Sequence, residues 1–181
     1  MFKPSVNPKV EELTKSCVDR RINLSDLDAI MIEGKRHCCW CSTPLKGRQY
    51  KWCSSECAGF AWAWANPQSD EGLKYLLIRQ DWKCKSCQYD YKLTMISLVS
   101  ADRFVSKKNG ITDDLLASLP SYYMRRMKYR LPKQYKPEVD HIVPIYKGGQ
   151  SLGLDNHQAI CYSCHKTKTK SDLSGKRKKN V

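Results

Sequence analysis

Eight of the ten cysteines occur in four short pairs, and this pattern restricts the possible folds more than any other feature of the sequence. Cys38 and Cys41 form one pair, and Cys53 and Cys57 follow after eleven intervening residues. Two close pairs of thiolates supply the four tetrahedral ligands that structural Zn²⁺ takes. The pattern predicts a zinc module over residues 37–70.

The remaining pairs are Cys84 with Cys87 and Cys161 with Cys164. Their separation is no obstacle, because each knuckle forms locally and the metal joins them in space. Four protein ligands leave no open position, so both zinc sites are predicted to be structural and to contribute folding energy. A redox CxxC pair is the alternative, but no thioredoxin-like strand–helix context surrounds either knuckle.

The other cysteines and their surroundings leave some choices open. Cys17 lies at helical spacing and is interpreted as a small core residue. His37 and Cys39 flank Cys38 and could replace it as ligands, although the spacing favours Cys38 and a packed thiol at Cys39. The chain opens without a signal peptide and has no membrane-length apolar run, which favours a reducing, intracellular (cytoplasmic) compartment where patterned cysteines bind metal.

The chain divides into segments that predict an α+β protein with a small zinc-bound N-terminal module. A helical segment over 1–36 precedes the zinc module, a second domain covers 71–170 with a basic insertion at 93–136, and a basic tail covers 171–181. Helices are expected from capping residues and periodicity after Asn7-Pro8, after Ser25, after Ser54, over 71–81, from Thr112 to Leu119 and, capped by Ser121, from Tyr122 to Arg130.

The segment 138–168 predicts a strand, a loop, a second strand and a helix. Residues from Glu138 to Pro144 alternate and include β-branched side chains, which is typical of a strand. Gly148-Gly149 marks a turn, 158–160 forms a short second strand, and Cys161 begins a knuckle that leads into a helix. Together these elements make a ββα unit.

This stretch resembles the cysteine-knuckle branch of the HNH endonuclease family. The resemblance depends on Asp140-His141 followed by Pro144, on Asn156 before a short apolar run, and on Cys161-x2-Cys164-His165-Lys166. With Cys84 and Cys87 it extends over 72–170. It implies a ββα-metal nuclease that binds one divalent ion and hydrolyses phosphodiester bonds.

The resemblance also implies a role for each residue. His141 matches the general base, and a neutral imidazole accepts protons near pH 7. Asp140 and His165 match the ligands of a catalytic Mg²⁺ or Mn²⁺ ion. Asn156 either orients the loop that holds the base or binds metal, and orientation is favoured. Considered alone, His141 is compatible with a buried structural histidine and His165 with an extra zinc ligand. His157 is expected to be structural or exposed, and Glu138 could assist the metal, although a strand-surface role is favoured.

A net charge of +14 indicates a polyanionic partner, since each phosphate contact releases counterions. The basic residues of 122–136 alternate with tyrosines, which pack on sugars or exposed bases, although a solvated helix face is the alternative. The tail from Lys166 onward is expected to be disordered when free. The candidate DNA contacts are Arg125, Arg126, Lys128, Arg130, Lys166 and Lys168.

These observations predict a DNA endonuclease with two structural zinc ions, of a type frequent in phages and mobile elements. A non-catalytic, zinc-containing nucleic-acid-binding protein is the competing hypothesis. It accounts for charge and zinc but gives no reason for Asp140, His141, Asn156 and His165. Monomer and dimer, nicking and double-strand cutting, and the kind of DNA recognised all stay open.

Overall fold

The computed structural model describes residues 3–16, 22–102 and 111–177, the last three through their backbone alone. Cys17 and the last four residues of the predicted tail lie outside these ranges. The regular elements, in chain order, are α1 Pro8–Ser16, β1 Ile30–Ile32, β2 Lys35–His37, α2 Ser55–Ala65, α3 Asp70–Arg79, α4 Lys92–Ser100, α5 Asp113–Ser118, α6 Tyr122–Arg130, β3 Pro137–His141, β4 His157–Cys161 and α7 Tyr162–Arg177.

The described strands form two antiparallel ribbons, so the predicted α+β class is confirmed. β1 pairs with β2, and β3 pairs with β4 in a register that sets Asp140 opposite Gln158 and His141 opposite His157. Because side chains alternate along a strand, Glu138 and Asp140 share one face of the second ribbon and His141 occupies the other. α7 follows β4 directly and completes the predicted ββα unit.

Most helices begin where capping residues predict them. The hydroxyl of Ser54 accepts a hydrogen bond from the Cys57 N–H at 3.2 Å, and that of Thr112 accepts one from Leu115 at 3.2 Å. The Asn7 side chain caps α1 by accepting from the Lys9 N–H at 3.0 Å. Ser121 precedes α6 as expected but makes no cap, since its backbone is already helical.

The helix predicted after Ser25 is wrong. A single 3₁₀ turn, Leu24–Asp26, is capped instead by Asn23, and the chain then enters β1. Ile30, Met31 and Ile32 suit a strand, and the turn at Glu33-Gly34 has positive φ at both residues. The hairpin therefore overrides a helical spacing that is also present in this segment.

Two hydrophobic cores meet at α2 and α3. One contains α1, the cysteine module and most of α2, with Trp40 and Phe60 fully buried; the other contains α3, α4, α6 and the β3–β4 ribbon. Tyr75 packs against both, and the Gly153 N–H donates to the Trp64 carbonyl at 2.9 Å. Leu152 of the β3–β4 loop is also buried in the first core, so the module packs against this loop of the ββα unit.

The expectation of a disordered tail from Lys166 is wrong as far as Arg177, because α7 continues through this segment. Asp172 binds Lys168 one turn away at 2.9 Å and Lys147 at 3.1 Å. These ion pairs anchor the second half of the helix to the β3–β4 loop. None of the helices in the described ranges has both the length and the apolar character needed to cross a membrane.

Candidate active site and cysteine clusters

The first cysteine cluster brings together the four residues chosen from their spacing. The Sγ atoms of Cys41, Cys53 and Cys57 lie 3.5 to 3.6 Å apart, and Cys38 belongs to the same group. Zinc–sulfur bonds of about 2.3 Å in a tetrahedron give sulfur separations of about 3.8 Å, so this cluster could hold a zinc ion.

The neighbours of Cys38 take other roles. Cys39 is fully buried, and burial, with a contribution from Cys38, raises the pKa of its thiol to about 12. The Nδ1 atom of His37 pairs with the Lys35 carbonyl at 3.0 Å. Neither residue joins the four-sulfur group, so the ligand set expected from spacing is the one that the fold assembles.

The second cluster joins α3 to the ββα unit. Cys84 and Cys87 lie in the loop after α3, while Cys161 ends β4 and Cys164 lies in the first turn of α7. The Sγ atoms of Cys87 and Cys161 are 3.8 Å apart, and the Cys161 N–H donates to Cys84 Sγ at 3.2 Å. This group could also hold a zinc ion, which would tie both strands and α7 to the loop that follows α3.

A carboxylate and an imidazole face each other between β3 and α7. The Oδ1 atom of Asp140 lies 3.5 Å from Nε2 of His165. The other oxygen of Asp140 accepts from Gln158 at 3.0 Å and pairs with Lys168 at 3.2 Å. The opposite ring nitrogen of His165, Nδ1, lies 2.6 Å from Glu138 Oε2. With the outer contacts made by the other atoms, Asp140 Oδ1 and His165 Nε2 are the two atoms that face each other.

This donor pair fits a divalent cation. An Nδ1–H that donates to Glu138 leaves the Nε2 lone pair for a metal, an arrangement common around metal-ligating histidines. Successive residues on a helix differ by about 100°, so Cys164 faces the cysteine cluster while His165 faces Asp140. The cysteine cluster does not include His165, which disfavours its interpretation as an extra zinc ligand.

His141 lies at the end of β3 and is half-buried. With Asp140, Lys168 and Asp172 it lines a cavity of about 480 Å³. Burial lowers the pKa of His141 below its ordinary 6.5, Asp140 opposes this effect, and Lys168 adds to it. The imidazole is therefore neutral near pH 7 and borders the same cavity as the Asp140 carboxylate.

Asn156 holds the loop that follows His141. Its Oδ1 accepts from the Val143 N–H at 2.8 Å, and its Nδ2 donates to the carbonyls of Val143 and Gln150, each at 2.9 Å. Its own carbonyl accepts from Ile142 at 2.8 Å. With both ends of the amide engaged, Asn156 is arranged to orient the loop.

His157 is fully buried behind the catalytic candidate. Its ring centroid is 4.5 Å from that of His141. Both ring nitrogens are buried away from solvent. Burial, with His141 as a second cause, lowers the pKa of His157 to about 4. The residue is a neutral packing partner of His141, which fits the structural alternative and excludes the exposed one.

Several of the basic residues proposed as DNA contacts bind acidic side chains within the fold. Asp70 pairs with Arg125 at 3.4 Å and with Lys128 at 3.1 Å. Arg126 pairs with Asp102 at 3.4 Å, and Lys168 pairs with Asp140 and Asp172. Lys166 lies over the Tyr162 ring, and Arg130 ends α6 on the surface. The positive charge of helix α6 is thus partly neutralised by carboxylates of the same chain.

Sequence reasoning missed the outer contacts of Asp140 and His165. Glu138 was expected at a strand surface, and Gln158 and the Asp140 contact of Lys168 received no role. One signal was available, because Glu138 and Asp140 are two residues apart on a strand and must share a face. The position of α7 over that face depends on tertiary packing and has no local signal.

The two-stranded ribbon, the helix across it and the paired carboxylate and imidazole define a ββα nuclease unit supported by cysteine clusters. Residues 128–171 match the family described as HNH endonuclease. This match confirms the resemblance that the cysteine-knuckle and Asp140-His141 motifs indicated.

Two similar proteins carry a related name. The chain is 25% identical over 173 residues to the mouse (Mus musculus) DNA annealing helicase and endonuclease ZRANB3, covering 92% of this chain and 16% of that protein. It is 30% identical over 86 residues to the human (Homo sapiens) protein of the same name, covering 48% and 8%. The chain thus spans only a small part of these relatives. No solved structure gives a significant match.

Proposed function

We propose that this protein is a metal-dependent DNA endonuclease that hydrolyses phosphodiester bonds, with His141 as general base and Asp140 and His165 as ligands of a divalent ion. The observation that carries the proposal is the 3.5 Å approach of Asp140 Oδ1 to His165 Nε2, beside an imidazole that lines the same cavity. A purely nucleic-acid-binding protein has no need of this arrangement.

Mg²⁺ is the proposed ion, with Mn²⁺ as a substitute. A carboxylate oxygen and one imidazole are ligands that both ions accept, and few protein ligands leave positions for water and phosphate oxygens. When bound, the ion supplies charge stabilisation on the phosphate and on the leaving oxygen. Zn²⁺ is the proposed occupant of both cysteine clusters.

Each side chain of the proposed site has a separate role in the hydrolysis. His141 accepts the proton of a water whose oxygen bonds to phosphorus as one backbone P–O bond breaks. Its lowered pKa keeps it in the accepting, neutral form at pH 7. Asn156 fixes the loop beyond the base, and Glu138 and Gln158 orient His165 and Asp140. Each residue positions one reacting or ligating group.

DNA is the proposed substrate for two reasons. The net charge of +14 favours a polyanion, and both similar proteins are named for DNA and for endonuclease activity. None of the described cysteines forms a disulfide, and their grouping into two metal-type clusters supports action in a reducing intracellular compartment. A phage or mobile-element origin is an expectation of the family resemblance alone.

The test is nicking of supercoiled plasmid by zinc-loaded protein with and without added Mg²⁺ or Mn²⁺. His141→Ala should reduce the rate by about 10²–10⁴-fold, which is the usual contribution of a general base. Asp140→Asn should reduce it through loss of the added metal. Asp155→Asn is the matched control, because Asp155 has a fully exposed side chain on the loop before β4 and should leave nicking unchanged.

Unchanged nicking in folded His141→Ala protein would reject the assigned centre. Tight DNA binding with no metal-stimulated cutting in the unaltered protein would favour the non-catalytic alternative. Metal titration separates a third outcome, in which Glu138, His165 and Asp140 form only a structural ion-pair chain and bind no added cation. If the protein cuts the plasmid, sequencing the product ends distinguishes nicking from double-strand cutting.

A further inference from the structure

The cysteine module carries basic side chains that the fold does not neutralise. Residues 35–53 contain five lysines and arginines and no aspartate or glutamate. Four of them are exposed, and none of these four has a carboxylate within 4.0 Å in the part of the chain that the structure describes. They are Lys35, Arg36, Lys46 and Arg48.

Helix α6 provides the contrast. The sequence singled out its basic residues, yet Asp70 binds both Arg125 and Lys128, and Asp102 binds Arg126. A phosphate that approached these side chains would compete with carboxylates already in place. The positive charges of the cysteine module face no such competition, so they are the better candidates for phosphate contacts.

The backbone that carries these basic residues is short and is held by hydrogen bonds. The Leu45 N–H donates to the Arg36 carbonyl at 3.0 Å, which joins β2 to the loop between the two cysteine pairs. Within that loop, Gln49 accepts from the Lys46 N–H at 2.8 Å and donates to the Cys53 carbonyl at 2.9 Å. The backbone between the metal-binding cysteines is therefore fixed, while the basic side chains extend into solvent.

An exposed aromatic ring lies among these charges. The Tyr50 side chain is 72% exposed, and the Arg36 guanidinium lies 5.0 Å from its ring centroid. Base–aromatic stacking tolerates any sequence, and an arginine beside the ring holds the adjoining phosphate. A bound zinc with four thiolates carries two negative charges, which still leaves about three positive charges on residues 35–53.

We propose that this surface, made of Arg36, Lys46, Arg48 and Tyr50 and called here the knuckle surface, binds single-stranded nucleic acid. The ring accepts an unpaired base, and the three basic side chains follow the phosphates. A base inside a duplex has no free face for Tyr50, so an unpaired segment is favoured over double-stranded DNA. The proposal rests on the proposed function only in that the ligand and the substrate are the same class of polymer.

The experiment measures binding of a fluorescent thymidine oligonucleotide of about 15 nucleotides by anisotropy, using zinc-loaded His141→Ala protein without added Mg²⁺. Tyr50→Leu should weaken binding at least about fivefold, as loss of one stacked base does. Tyr129→Leu is the matched control, because Tyr129 is a tyrosine of α6 that is 80% exposed, and its loss should change the affinity less than twofold.

The charges are tested through salt dependence. Replacing Arg36, Lys46 and Arg48 together by glutamine should lower the slope of log affinity against log salt by about 2, at roughly 0.7 per phosphate contact. The paired control, Arg125→Gln with Lys128→Gln, should leave the slope nearly unchanged. Two zinc ions per chain and an unchanged melting temperature confirm that each variant is folded.

Equal losses from the Tyr50 and Tyr129 variants, or an unchanged salt slope in the triple variant, would overturn the proposal. Tighter binding of a matched duplex, unaffected by Tyr50→Leu, would also overturn it and indicate phosphate contacts alone. Because binding is measured without cutting, a protein that fails the plasmid assay still gives a clear result for the knuckle surface. Conversely, normal nicking with no effect of Tyr50→Leu on oligonucleotide binding rejects this surface and leaves the nuclease.

Discussion

At the scale of single residues, the carboxylate of Glu138 lies 2.6 Å from Nδ1 of His165, whereas Asp140 faces the opposite ring nitrogen, Nε2. Carboxylates placed behind metal-ligating histidines fix the tautomer and the ring orientation, and losing one typically lowers metal affinity or activity by about 10–100-fold. Glu138→Ala should therefore weaken Mn²⁺ binding in calorimetric titration and slow nicking by a similar factor.

Glu138→Gln tests whether Glu138 acts by orienting the His165 ring or only by filling space beside it. The glutamine Oε1 can accept the same Nδ1–H, so this variant should recover part of the lost metal affinity. Glu12→Ala, on the exposed face of α1, is the control for removing a carboxylate from the surface. If Glu138→Ala bound Mn²⁺ as tightly as the unaltered chain does, the carboxylate would have no orienting role.

His157 gives the second prediction for a single residue. Its pKa is about 4 instead of 6.5, chiefly through burial, so the folded chain holds the neutral ring. Above pH 6.5 neither state protonates this ring. As the pH falls from 6.5 to 4 the unfolded chain gains a proton that the folded chain does not, and stability of about 3 kcal/mol is lost.

A His157→Phe variant should lack this contribution, so its free energy of unfolding should fall less than that of the unaltered chain between pH 6.5 and 4. Denaturant titrations at several pH values give the comparison. Acid release of zinc affects both proteins and cancels in the difference. Parallel pH profiles for the two proteins would show that the buried ring does not resist protonation.

At the scale of elements, the correct predictions were those that depend on contacts between residues close together in the sequence. Ser54 and Thr112 cap helices through hydrogen bonds three residues ahead, and each cysteine knuckle forms within a few residues. The β1–β2 hairpin was missed, since apolar spacing there suits a helix as well. The Asp70 ion pairs with α6 were missed because they join residues 55 and 58 positions apart.

The β3–β4 loop is tested through Gly149, which lies very close to the backbone of the same loop. A Cβ on Gly149 would lie 1.9 Å from the Val143 carbonyl oxygen and 2.6 Å from Asn156 Nδ2. Gly149→Ala must therefore displace the Asn156 contacts that hold the loop beyond His141. It should cost about 1–3 kcal/mol of stability and slow nicking at least about tenfold, as misplaced catalytic groups do.

Gly148→Ala is the matched control, because the neighbouring glycine has φ of +87° and open space around its Cβ position. An alanine there bears backbone strain of about 1–2 kcal/mol but leaves the Asn156 contacts intact. Comparable losses of stability with a loss of nicking only in Gly149→Ala would assign the effect to the loop. Full activity in Gly149→Ala would mean that the Asn156 contacts do not position His141.

At the scale of the whole molecule, each cysteine cluster belongs to a different core. Cys38 and Cys57 are buried in the core of α1 and α2, whereas Cys84 and Cys161 are buried in the core of α3 and the β3–β4 ribbon. Apparent binding free energies of about 10–16 kcal/mol per structural zinc exceed the stability of a small domain. Losing one ion should unfold one core and release part of the interface at Tyr75.

Cys41→Ala and Cys39→Ala test this division with neighbouring residues of one type. Cys41→Ala should reduce bound zinc from two ions per chain to one and abolish the cooperative melting of the first core. Cys39→Ala removes a buried thiol that is outside the four-sulfur group, so both ions should stay bound, with only the modest stability loss of a small cavity. Zinc content by colorimetric chelator assay and melting by circular dichroism give the comparison. Loss of zinc from Cys39→Ala but not from Cys41→Ala would show that Cys39 is the ligand instead of Cys41. The backbone arrangement described for the knuckle surface would then be wrong as well.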